Sequence, residues 1–230
     1  MNYRKFSIQS GLICVCLLLV ACNQKATAIK LNASSASAPI QYERKLLPED
    51  KNDYISLGLT NCQSGIQISA KQTIIACRNK ALDTTTDYGL RLFLINLSRS
   101  KPTIDYYSHG VQDAYYMKLS GFVNSNSKKP ELIMAEYGAE YSYGVNVFTL
   151  KGDKINFLGV IEEVVNIDEN AASVVPYISI TESAGEIRFT FIRDVLQINK
   201  QGEYIPVPKE KIKYISSQQG GFHKEEITRE

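Results

Sequence analysis

Residues 135–144 read AEYGAEYSYG, two carboxylates and three tyrosines set between apolar runs. Two acids at short spacing are the equipment of general acid/base hydrolysis. In extended chain Glu136 and Glu140 share a face about 13 Å apart. That exceeds the separation of both retaining and inverting glycosidase pairs, although a curled connection would bring them closer. Elsewhere the catalytic sets are poorly supplied. The chain has two histidines, His109 and His223. Ser108 and His109 are neighbours, and adjacent side chains in extended chain point apart, which rules them out as nucleophile and base. His223 stands in a polar stretch, SSQQGGFHKEE. No GxSxG, HExxH or glycine-rich phosphate loop occurs. Glu162, Glu163, Asp168 and Glu169 form an acidic edge, a solvated face or a patch for a basic partner. No residue is assigned a catalytic or metal-binding role, and no cofactor is implied.

The tyrosines say more. Tyr106, Tyr107, Tyr115, Tyr116, Tyr137, Tyr141 and Tyr143 crowd one stretch. Tyrosine gives a large, stiff contact area with a polar tip and is enriched in recognition surfaces. It is also at home in strands, paired across the ladder with its hydroxyl in water. As a recognition surface, the candidate binding residues are Tyr137, Tyr141, Tyr143, Glu136 and Glu140. The chain has no tryptophan, which weakens a carbohydrate-stacking role.

The elements that must position these residues are strands. LRLFLINL, residues 90–97, is rich in branched and aromatic side chains and bounded by turn formers. Further strands are expected at 114–119, 131–137, 145–150, 155–161, 174–180 and 186–192. Lys151-Gly152-Asp153-Lys154 and Glu182-Ser183-Ala184-Gly185 read as hairpin turns. Gly138 and Gly144 bracket a connection and permit positive φ. No long helical period appears; residues 161–165 are the best short candidate. The expected fold is a single all-β domain of antiparallel hairpins, propeller-blade-like or sandwich-like. Hairpins starting near Leu90, Val145 and Ile187 look alike at uneven spacing.

Cys62 and Cys77 flank one such hairpin. If its turn is centred between Ser69 and Ala70, the two cysteines stand opposite each other, and an oxidising compartment would join them. Neither has a histidine or third cysteine nearby to make a metal site. Closing this loop is worth about 3 kcal/mol in the chain-entropy model.

The first residues, MNYRKFSIQSGLICVCLLLVAC, carry basic Arg4 and Lys5, an apolar run from Gly11 to Val20, and then Leu19-Val20-Ala21-Cys22. The apolar run is too short to span a bilayer. This segment resembles the signal and lipobox of bacterial lipoproteins. The resemblance implies cleavage before Cys22, diacylglycerol on its thiol and an acylated amine. Lipid chains anchor at roughly 0.8 kcal/mol per buried methylene. Asn23, in place of an aspartate, points by family analogy to the outer membrane, at its periplasmic face. The expected organisation is a signal peptide at 1–21, a lipidated flexible tether at 22–41, a β-rich domain at 42–215 and a polar tail at 216–230. Loss of Arg4 and Lys5 from 26 basic residues leaves 24, against 24 acidic ones. A neutral chain gives no electrostatic case for nucleic acid.

Residues 119–150, LSGFVNSNSKKPELIMAEYGAEYSYGVNVFTL, are similar to FG-GAP or VCBS-type blade repeats. Pro130, Glu131, Leu132 and Ile133 match the second half of that pattern. Val123, Ser125 and Ser127 stand where its calcium-binding aspartates belong. Hard cations need several oxygen ligands, so the resemblance implies blade-like strand order without the metal.

The expected function is a membrane-anchored, non-catalytic protein-binding module in the periplasm, in its sharpest form an inhibitor or immunity protein against a toxin acting there. Two other readings stay open: an envelope hydrolase using carboxylates, and a structural or assembly lipoprotein. Cys22→Ser is expected to release the protein into the soluble periplasmic fraction or to leave it uncleaved. Normal processing with unchanged membrane fractionation would contradict the lipobox reading.

Overall fold

The computed structural model describes residues 38–127, 129–167 and 170–227. Cys22, the signal segment and most of the expected tether lie outside them. The described chain forms seventeen strands: β1 (Ile40–Lys45), β2 (Thr60–Ser69), β3 (Gln72–Arg78), β4 (Arg91–Asn96), β5 (Thr103–Tyr107), β6 (Tyr116–Asn124), β7 (Leu132–Gly138), β8 (Ser142–Lys151), β9 (Lys154–Ile161), β10 (Val165–Ile167), β11 (Asn170–Ala172), β12 (Ile178–Ser183), β13 (Glu186–Phe191), β14 (Val195–Ile198), β15 (Tyr204–Val207), β16 (Ile212–Ser217) and β17 (Gly221–Glu226). The only helical pieces among the described residues are four short 3-10 turns. One of them, Val175–Tyr177, replaces the start of the strand expected at 174–180, because Pro176 cannot donate to a ladder. The short helix considered at 161–165 is the end of β9 and the start of β10.

Nine strands form one antiparallel sheet in the order β17-β16-β13-β12-β1-β6-β7-β8-β9. It curls until its two edges meet. An added Cβ on Gly159 of β9 would lie 2.2 Å from the ring of Phe222 on β17, so only glycine allows this approach. The Phe222 ring stacks on Tyr214 at 5.3 Å and meets Phe189 edge-on at 5.6 Å. The result is a nearly closed barrel whose last seam is made by side chains instead of a hydrogen-bond ladder.

Period-two alternation sorts the core. Leu132, Met134, Val147, Ile180, Phe189 and Tyr214 point into the barrel. Ile133, Ala135, Phe148, Leu150 and Ile155 point out, against a second sheet of order β2-β3-β4-β5. This sheet is covered on both faces. Leu92 and Leu94 face the barrel, while Phe93 and Ile95 pack with Tyr54 and Leu59 on the far side. That is why β4 reads as an unbroken apolar run. Its first residue, Arg91, is wholly buried. It donates to Asp87 at 2.9 Å and Asp83 at 3.2 Å, and to the carbonyls of Leu82, Asp87 and Ser108. One guanidinium thereby stitches the loops before β4 and after β5.

Cys62 and Cys77 are joined. The ladder is not the one expected: Ser64↔Ala76, Gly65↔Ile75 and Ile66↔Ile74 are offset by one residue from a turn centred between Ser69 and Ala70. An irregularity between Thr60 and Ser64, with Asn61 at φ 49, shifts the register back and sets Cys62 against Cys77.

The strands also outrun the expected domain limits of 42 and 215. β1 starts at Ile40, within the expected tether, and the expected polar tail supplies the end of β16 and all of β17. The polar character of β17 has a physical reason. Inside the barrel wall, Lys224 faces Glu163, whose side chain is fully buried and accepts a hydrogen bond from the Tyr214 hydroxyl.

Burial pushes the Glu163 carboxyl up from its ordinary range, opposed by the Tyr214 donor and the Lys224 charge. A folded-state pKa above the unfolded one means that the folded domain binds the proton more readily. Stability therefore falls as pH rises from the ordinary glutamate range through the raised value. Glu163→Gln is expected to flatten this dependence between pH 4 and 7 in urea unfolding, without loss of stability at pH 7. Lys224→Met is expected to cost about 1–3 kcal/mol at pH 7, because it strands a buried charge. A Glu163→Gln variant less stable than the parent at pH 7 would contradict the assignment.

Candidate functional site

The register fixes two ends of the barrel. At one end lie the start of β1 and the β6–β7, β8–β9, β12–β13 and β16–β17 connections. At the other lie the β7–β8 turn, the start of β6 and the long excursions after β9 and β13. These excursions close that second end. Val165, Val174, Val175 and Val195 join the barrel core there, and the buried Val164 bridges to Leu196.

The AEYGAEYSYG segment stands at the closed end, as the end of β7, a tight turn and the start of β8. Its residues separate into two groups. Glu136 and Tyr137 belong to the frame. Glu136 is 8% exposed and accepts a hydrogen bond from the Tyr116 hydroxyl at 3.0 Å. Tyr116 is pushed up to about 12, by burial first and then by the facing Glu136 charge and the bond donated to it. The Lys118 ammonium sits 4.8 Å from the Tyr116 ring centroid. Tyr137 packs into the layer between the two sheets, and burial raises its hydroxyl as well. Glu140 is exposed in the turn. The two carboxylates therefore do not converge: one is inside, hydrogen-bonded to a phenol, and the other is in water.

Gly138 does not adopt positive φ, contrary to expectation; it is needed for space. A Cβ there would lie 2.1 Å from the Tyr141 carbonyl oxygen and 2.8 Å from the Tyr116 hydroxyl. That crossing turns the chain so that Tyr141 and Tyr143 come out together. Their rings meet edge-to-face at 5.2 Å, a geometry worth about 0.5–1.5 kcal/mol beyond area burial.

Two tyrosines from other segments join them. Tyr143 is raised by partial burial first, and then by Tyr141, Asp113, Tyr115 and Glu140 around it. Tyr204, which opens β15, is raised by burial and then by Tyr141 and Tyr143. Tyr115 is 74% exposed, Tyr141 45% and Tyr204 37%. Tyr115, whose N–H donates to the Gly138 carbonyl at 2.8 Å, thus joins Tyr141 and Tyr143 in one aromatic surface with Asp113 and Glu140 on its fringe, and Tyr204 lies within electrostatic reach of it. Tyr204 went unnoticed in the sequence. It lies far along the chain, and only the return of the β14–β15 hairpin over the closed end brings it in.

The remaining chemistry-bearing residues are engaged elsewhere. The Ser108 hydroxyl donates to the His109 carbonyl at 2.9 Å and accepts from the Leu92 N–H at 3.0 Å. The His109 ring points into solvent, with Nδ1 3.2 Å from Asp87. The N–H of Gly110 and the neighbouring His109 and Arg91 hold the Asp87 carboxyl below its usual range. Serine and histidine side chains do not meet, so no nucleophile–base pair forms. Among the described residues no three of His, Cys, Asp and Glu converge as a metal site.

No protein-family model matches this sequence, and no curated protein or solved structure matches it.

Tyr116→Phe is expected to destabilise the domain by about 1–3 kcal/mol, because it leaves a buried carboxylate without its donor. Glu136→Gln keeps an acceptor oxygen and is expected to cost under about 1 kcal/mol; Glu140→Gln is expected to be neutral. Urea unfolding midpoints of the three variants check this. A destabilising Glu140→Gln with a neutral Tyr116→Phe would reverse the division between frame and surface.

Proposed function

We propose that the protein is a lipid-anchored, periplasmic, non-catalytic binding module that captures a protein partner through the aromatic surface at the closed end of the barrel, as an inhibitor or immunity protein does. The observation that carries this reading is the convergence of Tyr115, Tyr141, Tyr143 and Tyr204 from three chain segments onto one exposed patch. Aromatic anchors with two stiff torsions lose little entropy on binding, and their polar tips keep the free surface soluble. The acidic fringe of Asp113 and Glu140 suits a basic partner. Rim charges of this kind mainly speed association and make it sensitive to salt.

Ile40 enters β1 at the end of the barrel opposite the tyrosines, so the start of the described chain does not cover the patch. An enzyme reading based on Glu136 and Glu140 finds no support in their arrangement, since one is enclosed by Tyr116 and the other stands free.

The test is capture from periplasmic extract with residues 38–230, followed by titration of the captured protein. Tyr141→Ala combined with Tyr115→Ala is expected to weaken the complex at least about tenfold, with an unchanged unfolding midpoint. Glu140→Gln is expected to lower the association rate and its salt dependence more than the affinity. A double variant that stays folded and binds as the parent does would place the binding surface elsewhere.

A further inference from the structure

The open end of the barrel differs in chemistry from the tyrosine end. A cavity of about 1060 Å³ lies there, reached between the hairpin turns. Leu132, Leu158 and Ile187 give it an apolar wall. Two half-buried carboxylates, Glu131 and Glu182, line it. The Tyr42 hydroxyl donates to Glu182 Oε2 at 2.6 Å, and Asn124 Nδ2 donates to Glu131 Oε2 at 2.7 Å. Burial, and then the charges of Glu182 and Glu131, push the Tyr42 hydroxyl up, so both acids bear on the same phenol.

Both donors are neutral. They orient one oxygen of each carboxylate and leave its charge uncompensated. Among the described residues neither acid forms an ion pair, as Glu163 does with Lys224 and Asp83 and Asp87 do with Arg91; in this they are like Glu136, whose partner is the neutral Tyr116 hydroxyl. Two further polar side chains line the cavity without a hydrogen bond among the described residues. These are Gln72 and Thr149, each only 7% exposed. Their polar atoms open onto the cavity, and an apolar-walled cavity with a few convergent polar groups is the usual form of a small-ligand site. What is lacking is positive charge and donors. At the mouth the sign reverses, because Lys71, Lys129 and Lys151 stand exposed on the rim with Asp153.

We infer that this mouth binds a zwitterion, a free amino acid or short peptide, with its ammonium group at Glu131 and Glu182 and its carboxylate at the lysine rim. The apolar wall takes the side chains. A simple anion meets the inner acids, an uncharged sugar leaves both charges uncompensated, and a simple cation leaves the rim unused. The volume lies just above the usual small-ligand range, about 300–1,000 Å³.

Isothermal titration calorimetry of the full chain in detergent with trileucine, N-acetyl-trileucine and trileucine amide tests this. Trileucine is expected to bind at millimolar or lower concentration, N-acetylation to weaken it at least about tenfold, and amidation to weaken it about threefold. Glu182→Gln keeps an acceptor for Tyr42 and is expected to weaken trileucine at least about fivefold with an unchanged unfolding midpoint. Absence of trileucine binding, equal binding of the N-acetyl peptide, or an unaffected, folded Glu182→Gln variant would each overturn the inference. The peptide comparison on the parent chain decides the matter even if the variant fails to fold. Capture at the tyrosine surface is independent of every one of these outcomes.

Discussion

The barrel depends on a seam that has no hydrogen-bond ladder. Nine strands curl until β9 and β17 meet, and side chains complete the closure. Gly159 lets the Phe222 ring lie against the backbone of β9, Tyr214 and Phe189 hold that ring, and Lys224 reaches Glu163 just past the end of β9. An exposed sheet edge invites pairing with another chain. Here two edges shield each other. The ion pair at the seam is enclosed, and its desolvation is offset only because Glu163 has both Tyr214 and Lys224.

Closure of the seam creates the two ends and gives them different chemistry. Strands that return by short hairpins leave one mouth open, with its wall of Leu132, Leu158 and Ile187 and the acids Glu131 and Glu182, held by Asn124 and Tyr42. Strands that return by long excursions cover the other with valines and carry Tyr204 over to Tyr141 and Tyr143. The bound form of Glu136 follows from the same wall: it faces inward in register with Leu132 and Met134, where a carboxylate persists only beside a donor such as Tyr116.

Local physics made part of this legible from the amino-acid sequence. The all-β class, the turns at 151–154 and 182–185, and the run of β4 follow from alternation and turn chemistry. The joining of Cys62 and Cys77 was also readable, although the ladder that was assumed is offset by one residue and an irregularity near Asn61 restores the pairing. Non-local partners were not readable. Glu136 read as a candidate binding residue because its donor, Tyr116, is on another strand. The stretch around His223 looked like a tail because Lys224 answers a buried acid about sixty residues earlier. The tyrosine surface was visible only in the part that is contiguous in sequence.

The central claim is that recognition belongs to the closed end. The most direct measurement is amide chemical-shift mapping of the isotope-labelled domain as the captured periplasmic protein is added. The account requires perturbations at Tyr115, at 139–143 and at Tyr204, with Gly152, Ala184 and the other turns of the open end unmoved. Perturbations confined to those open-end turns, with Tyr141 and Tyr204 silent, would contradict it.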